Sequence, residues 1–254
     1  MDDIIVLEWT YDPPDYFEQK LTVADPSCEL EIESGAAQAR IPIAKFDEAS
    51  TRSEIHKSLD QRFRAVQAMT HHPYELTEPS QYRLLPDGRK QYWLFASNGL
   101  ILVQGQPVDV IVKDADGNVI ADSRADRLKL KREIAERVVG VGKRDDLLLS
   151  MLDSYSNAVN DPADELVHLY EIRDALAKHF GDEKTARSEL SISKRRWSRL
   201  GQLANDEPIK QGRHRGRAAA SLRDATVDEL RECRDIAFEM ISKYPTRTSR
   251  NHTG

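Results

Sequence analysis

Apart from one helical interruption at 51–70, the apolar residues of this 254-residue chain change period near residue 123, from two to about 3.6. That change restricts the fold to a sheet-forming first part and a helical second part. From 28 to 33, Cys28, Leu30 and Ile32 alternate with Glu29, Glu31 and Glu33. Ser34-Gly35 offers a turn, and Ala39, Ile41 and Ile43 alternate again with Arg40 and Pro42, so 28–43 reads as a hairpin with an acidic outer row. Residues 3–11 read as a strand ended by Pro13-Pro14. Tyr82–Leu85 and Gln91–Phe95 flank the turn Pro86-Asp87-Gly88, and a further hairpin over 108–121 turns at Asp116-Gly117-Asn118. One main helix interrupts the strands at 51–70, where Thr51-x-x-Glu54 has the capping-box pattern and Ile55, Leu59, Phe63, Val66 and Met69 recur at helical steps.

Beyond 123 the helical period persists. Arg124 to Val138 is highly charged with a thin apolar stripe, and Gly140-Val-Gly142 is expected to break it. Helices are then expected at 144–158, at 162–180 with Asp161 as N-cap and Gly181 at the far end, at 182–190, at 194–205, and at 226–244 opened by Thr226-x-x-Glu229. The expected class is α+β: an N-terminal antiparallel sheet with one main helix over 1–122, a helical connector over 123–143, an all-α bundle over 144–244 and a flexible tail over 245–254.

Charge is spread unevenly. The net −6 arises in residues 1–50, with 12 acidic and 3 basic side chains; the remainder has 31 acidic and 34 basic. A solvated sheet face accounts for the acidic end. Two cysteines, Cys28 and Cys233, do not make a disulfide framework or a metal pair, and the start lacks the basic region of a signal peptide. The expectation is a cytoplasmic protein without a membrane span.

Few residues suggest chemistry. None of the seven histidines pairs with another at four residues, as a helical metal motif requires. His71-His72 falls at a helix end before Pro73, where cationic histidines suit the helix dipole, although Glu75 and Glu78 lie near enough in sequence to suggest a metal. No phosphate-binding glycine loop or nucleophile elbow occurs, and Asp-x-Asp-Gly at 114–117 lacks the remaining calcium ligands. No cofactor, metal or catalytic residue is expected.

The clearest functional feature is basic. Residues 194–217 carry eight Lys and Arg against Asp206 and Glu207, a net +6. Over 183–203, Ala186, Leu190, Ile192, Trp197 and Leu200 have the spacing of buried positions in a helix-turn-helix, with Ser193 able to cap the second helix. Lys194, Arg195, Arg196 and Arg199 would project from that helix, and Arg213, His214 and Arg215 follow between two glycines. These seven residues are the candidate contacts to DNA or RNA. Two departures from the motif are Arg187 where alanine is common and Ser191 where glycine is. Two bundle helices with a solvated basic face have the same pattern.

Leu166 to Phe180, followed by Leu200-Gly-Gln-Leu-Ala-Asn205-Asp-Glu-Pro208 and Gly212-Arg-His-Arg-Gly216, resembles a family of uncharacterised bacterial proteins and, more distantly, HEPN-type helical domains. The resemblance covers roughly 144–244. It implies a helical domain and, in active members, a metal-independent ribonuclease whose Arg-x(4–6)-His motif supplies an acid-base histidine and a phosphate-binding arginine. Arg64/His71, Arg173/His179 and Arg247/His252 have that spacing. Chance alone produces about two such pairs in a chain of this composition. Arg173 and His179 fall about 240° apart around a helix, and His214 departs from the spacing. A non-catalytic protein binding a phosphate-bearing partner is therefore the leading expectation. The alternatives are a HEPN-like ribonuclease using His214 or Arg173/His179, and an interaction module that forms a homodimer through the bundle.

Overall fold

Alternation makes the strands and turn chemistry sets their register. In the structure, a computed structural model that describes residues 3–24, 28–48, 50–85, 90–93, 111–113, 119–142, 145–213 and 222–251, the first element is β1 (Ile4–Asp12). It is followed by β2 (Leu21–Ala24), β3 (Glu29–Glu33) and β4 (Ala36–Pro42). Ser34 and Gly35 both take positive φ, 49° and 84°, the left-handed pair that a two-residue hairpin needs. The sheet order is β2-β3-β4-β1-β6-β7, with β6 spanning Ser80–Leu84 and β7 Lys90–Trp93, while the short β5 (Glu75–Leu76) pairs with the end of β1. All these pairings are antiparallel. Ile5, Leu7, Trp9, Leu30, Ile32, Ala37, Ala39 and Ile41 are buried, while Glu29 and Glu33 are exposed beyond them, as the alternation requires. β8 (Ile111–Lys113) and β9 (Val119–Asp122) form a separate two-stranded ribbon. The expected turns at 86–88 and 116–118 lie outside the described residues.

The helices are α1 (Thr51–Thr70), α2 (Ser123–Gly142), α3 (Asp146–Asn160), α4 (Glu165–His179), α5 (Glu183–Glu189), α6 (Lys194–Gly201) and α7 (Val227–Asn251). The fold is α+β: an antiparallel sheet with one main helix, followed by a helical region. The chain forms two units, residues 1–60 with 74–130 and residues 61–73 with 131–254. Thus α1 contributes Ile55 and Leu59 to the first unit and Ala65 and Ala68 to the helical core of the second. Within the first unit, Trp9 Nε1 donates to His56 Nδ1 at 3.0 Å, and Tyr74 donates its hydroxyl proton to Asp60.

Several boundaries differ from the sequence reading. Thr51 is not half of a capping box; its Oγ1 accepts from the Asp47 backbone instead. Gly140 lies within α2, whose Ile134, Ala135 and Val138 are part of the helical core and outweigh a glycine's helix cost of about 1 kcal/mol, so the segment is more than a connector. Asp161 ends α3 rather than starting α4, which begins at Glu165 after Asp164. The expected helix at 194–205 is an α-helix to Gly201 and then a π-helical turn over Gln202–Asp206. The last helix continues to Asn251 rather than giving way to a tail at 245.

Local chemistry worked where both partners were close in sequence. At the start of α7, Thr226 N donates to Glu229 Oε2 at 2.9 Å and Glu229 N to Thr226 Oγ1 at 3.2 Å, a complete capping box. Among the described residues, no helix is long and apolar enough to cross a membrane.

Candidate nucleic-acid interface

The basic segment lies on a helix pair joined by a tight turn. Asp182 caps α5 by accepting from Thr185 N. Its far end is a Schellman turn: Ile192 N donates to Arg187 O at 2.9 Å and Ser191 N to Ser188 O at 3.2 Å. Ser191 takes φ 50° there, so a residue with a Cβ occupies the left-handed position that glycine usually fills. Ile192 is 4% exposed, the apolar contact such a turn buries. Ser193 then caps α6, its Oγ accepting from Arg196 N at 3.3 Å. Ala186, Leu190, Ile192, Trp197 and Leu200 are all buried, as the spacing required.

That packing decides which side chains of α6 point outward. Trp197, Leu200 and Gly201 are buried, while Lys194, Arg195 and Ser198 are exposed. Lys194 and Arg195 have no partner among the described residues. The other two basic side chains of α6 turn to α7. Arg196 Nε meets Glu239 Oε2 at 2.6 Å, and Arg199 Nε meets Glu232 Oε2 at 2.9 Å. The hydrogen bond that Arg199 donates to Glu232 raises the Arg199 pKa further. For Glu239, burial pushes the carboxyl up, but Lys243 and Arg196 together outweigh it and hold the group below its ordinary range.

Lys210 is likewise paired, with Asp224 at 2.9 Å. Arg223 grips Glu229 through both terminal nitrogens at 2.7 Å, and that hydrogen bonding, against some desolvation, lowers the Glu229 carboxyl to about 2. Among the described residues, three cations of the segment, Arg196, Arg199 and Lys210, are therefore answered by carboxylates that follow it in sequence.

Gly212 brings Arg213 against the π-helical turn that follows α6. A Cβ there would stand 2.8 Å from Ala204 O and 3.3 Å from Ile209 O, so only glycine permits the approach. Arg213 N donates to Ala204 O at 2.8 Å, and the exposed Arg213 guanidinium lies 5.0 Å over the Tyr170 ring. Arg173 shares that ring at 5.0 Å, donates to Tyr170 Oη at 2.8 Å and to Glu183 at 3.0 Å, and lies 5.3 Å from the Trp197 ring. Lys194 and Arg195 open α6, whereas the Arg213 backbone meets Ala204 in the π-helical turn beyond Gly201. His214 and Arg215 lie outside the described residues.

Arg173 and His179 are divided between two environments. Arg173 is held as above, whereas His179 stands edge-on to Phe180 and to Tyr244, whose hydroxyl donates to Asp145 at 2.9 Å.

The sequence reading missed a buried constellation in the helical unit. Glu165, 1% exposed, accepts Arg234 Nε at 2.6 Å and Nη2 at 2.8 Å. His71 Nε2 lies 3.8 Å from Glu165 Oε1, and its ring is edge-on to buried Tyr155 at 5.8 Å. His71 is not the cationic helix-end residue expected. It takes φ 54° just beyond α1, its Nδ1 is buried without a hydrogen bond, and burial, with Arg234 and His72 adding repulsion, lowers its pKa to about 3. Burial likewise raises the Tyr155 phenol. No spacing could have revealed this group, because its members stand at positions 71, 155, 165 and 234.

In the first unit, Glu48, Arg52, Ser53, His56 and Glu78 line a shallow pocket. Because His56 Nδ1 accepts from Trp9, neutral His56 carries its proton on Nε2 and faces Glu78 as a donor, 3.7 Å away, which does not suit metal ligation. Among the described residues there is no group of three or more metal-ligating side chains. Both cysteines are buried, and desolvation pushes the Cys233 thiol up to about 12.

Comparison of the chain with protein families, with curated proteins and with solved structures found no match.

Proposed function

We propose that the helical unit binds a phosphate-bearing partner, nucleic acid, without catalysing a reaction on it. The observation that carries this reading is the outward face of α6. Lys194, Arg195 and Ser198 are exposed together on a capped helix that contains no carboxylate and stands on a tight turn. Such a helix supplies lysine and arginine to phosphates and short polar side chains to base edges. A short helix with an exposed basic first turn suits the major groove of duplex DNA better than the deep, narrow groove of duplex RNA, so duplex DNA is the partner proposed. Arg213, exposed over the Tyr170 ring, is a further cation of the same unit in this reading, with His214 and Arg215 next in sequence. The buried reduced thiols of Cys28 and Cys233 are in keeping with a cytoplasmic setting.

Fluorescence anisotropy with a labelled 20-base-pair duplex, across 50 to 200 mM salt, tests this reading. Wild type is expected to bind with micromolar affinity at low salt and to weaken steeply as salt rises. K194Q/R195Q should lose affinity, with a logarithmic salt slope shallower by about 1.8, or 0.9 for each lost phosphate contact. Absence of binding at micromolar protein refutes the reading. Tighter binding to an RNA hairpin of equal length refutes the choice of DNA.

A further inference from the structure

We infer that α7 masks half of the basic surface of α6, so that Glu232 and Glu239 limit how strongly and how selectively the helical unit engages phosphate; this rests on the nucleic-acid reading above. Four basic side chains leave α6, and they fall into two classes. Lys194 and Arg195 are exposed and have no partner among the described residues, whereas Arg196 and Arg199 each place Nε on an α7 carboxylate, at 2.6 and 2.9 Å. Glu232 and Glu239 are seven residues, about two turns, apart and so lie on one face of α7.

The masking is electrostatic. Arg196 is 42% exposed and Arg199 30%, so their terminal nitrogens remain within reach of a partner. A phosphate approaching either guanidinium would also approach a fixed carboxylate, whose repulsion offsets much of the attraction. Glu239 is itself secured by Lys243 Nζ at 2.5 Å, and Lys243 also donates to Ser191 O at 2.9 Å, which ties the carboxylate to the turn between α5 and α6. Gln202 Oε1 accepts from Arg199 Nη1 at 3.3 Å and restrains the second arginine. A protein holding its cations in this way binds weakly through phosphate alone and leaves discrimination to the exposed face of α6.

The test is E232Q/E239Q, which keeps the shape of both side chains and frees both arginines. E29Q/E33Q, on β3 and paired with no residue of α6, changes the net charge equally. With the same duplex, E232Q/E239Q should bind at least ~10-fold more tightly than wild type at 50 mM salt. Two added phosphate contacts should steepen the logarithmic salt slope by about 1.8, so the advantage should shrink about 12-fold between 50 and 200 mM salt. E29Q/E33Q should stay within about 2-fold of wild type. If wild type binds and E232Q/E239Q is unchanged or weaker, the masking inference fails while the nucleic-acid reading stands. An equal gain in E29Q/E33Q also overturns it, because net charge would then suffice. If wild type does not bind, the nucleic-acid reading fails and the masking inference that rests on it falls too, whether or not E232Q/E239Q binds.

Discussion

Replacing Glu165 by Gln should destabilise the helical unit more than any single change on its surface. Both carboxylate oxygens are used, by Arg234 Nε at 2.6 Å and Nη2 at 2.8 Å, and the Glu165 side chain is 2% exposed. Glutamine keeps the shape but turns an NH2 group toward one of those donors and leaves the guanidinium uncompensated. Removing one partner of a buried pair costs about 3–5 kcal/mol. Arg234 remains 29% exposed, so water recovers part of its solvation, and the expected loss is near the lower end, about 3 kcal/mol. At about 2–4 °C per kcal/mol for a chain of this size, the melting temperature should fall by roughly 6–12 °C. Urea titration at pH 7 followed by far-ultraviolet circular dichroism measures the loss as a lower midpoint at constant slope. The companion variant E165M/R234M removes both charges and should recover to within about 1 kcal/mol of wild type, because apolar side chains of similar volume avoid the cost of desolvating an ion pair. A loss below about 1 kcal/mol for E165Q, or a double variant no more stable than the single one, would refute the reasoning.

Two further perturbations follow from the same geometry. His71 titrates near 3 in the folded chain against an ordinary value of 6.5, so between those values the unfolded chain binds the extra proton; stability is complete above about pH 6.5 and falls as pH drops toward 3. H71N, in which asparagine tolerates the left-handed backbone, should flatten the decline of the urea midpoint between pH 7 and 4.5, and an unchanged decline would assign it to other groups. G212A presses a Cβ against Ala204 O at 2.8 Å, with backbone on every near side, so about 1–3 kcal/mol of stability should be lost along with part of the duplex affinity. An unaltered melting curve would show that the 209–213 turn yields easily.

What could be read from the sequence, and what could not, divides by the distance between partners. Ser193 capping α6, Thr226 with Glu229 opening α7, Gly181 at φ 90° beyond α4 and the Ser34-Gly35 turn all join residues within a few positions of one another. Their chemistry is complete in a short window. Asp161 shows the limit even there: an aspartate before a proline has N-cap chemistry, yet α4 starts only at Glu165. His71 shows it more fully. Its place after α1 suggested a solvated cation, but Tyr155, Glu165 and Arg234 come from three other helices and make it a buried neutral group.

By itself, the order of side chains determined the class of fold, because a period of two can bury one face only as a strand and a period near 3.6 only as a helix. It likewise determined the buried positions of the α5–α6 pair. Only the tertiary structure decided the charge that a partner would meet. Arg196 finds Glu239 43 residues away, and Arg199 finds Glu232 33 residues away. Summing charge along residues 194–217 gives +6, but electrostatic interaction depends on distance in space, and packing α6 against α7 places carboxylates beside half of the basic side chains of that helix.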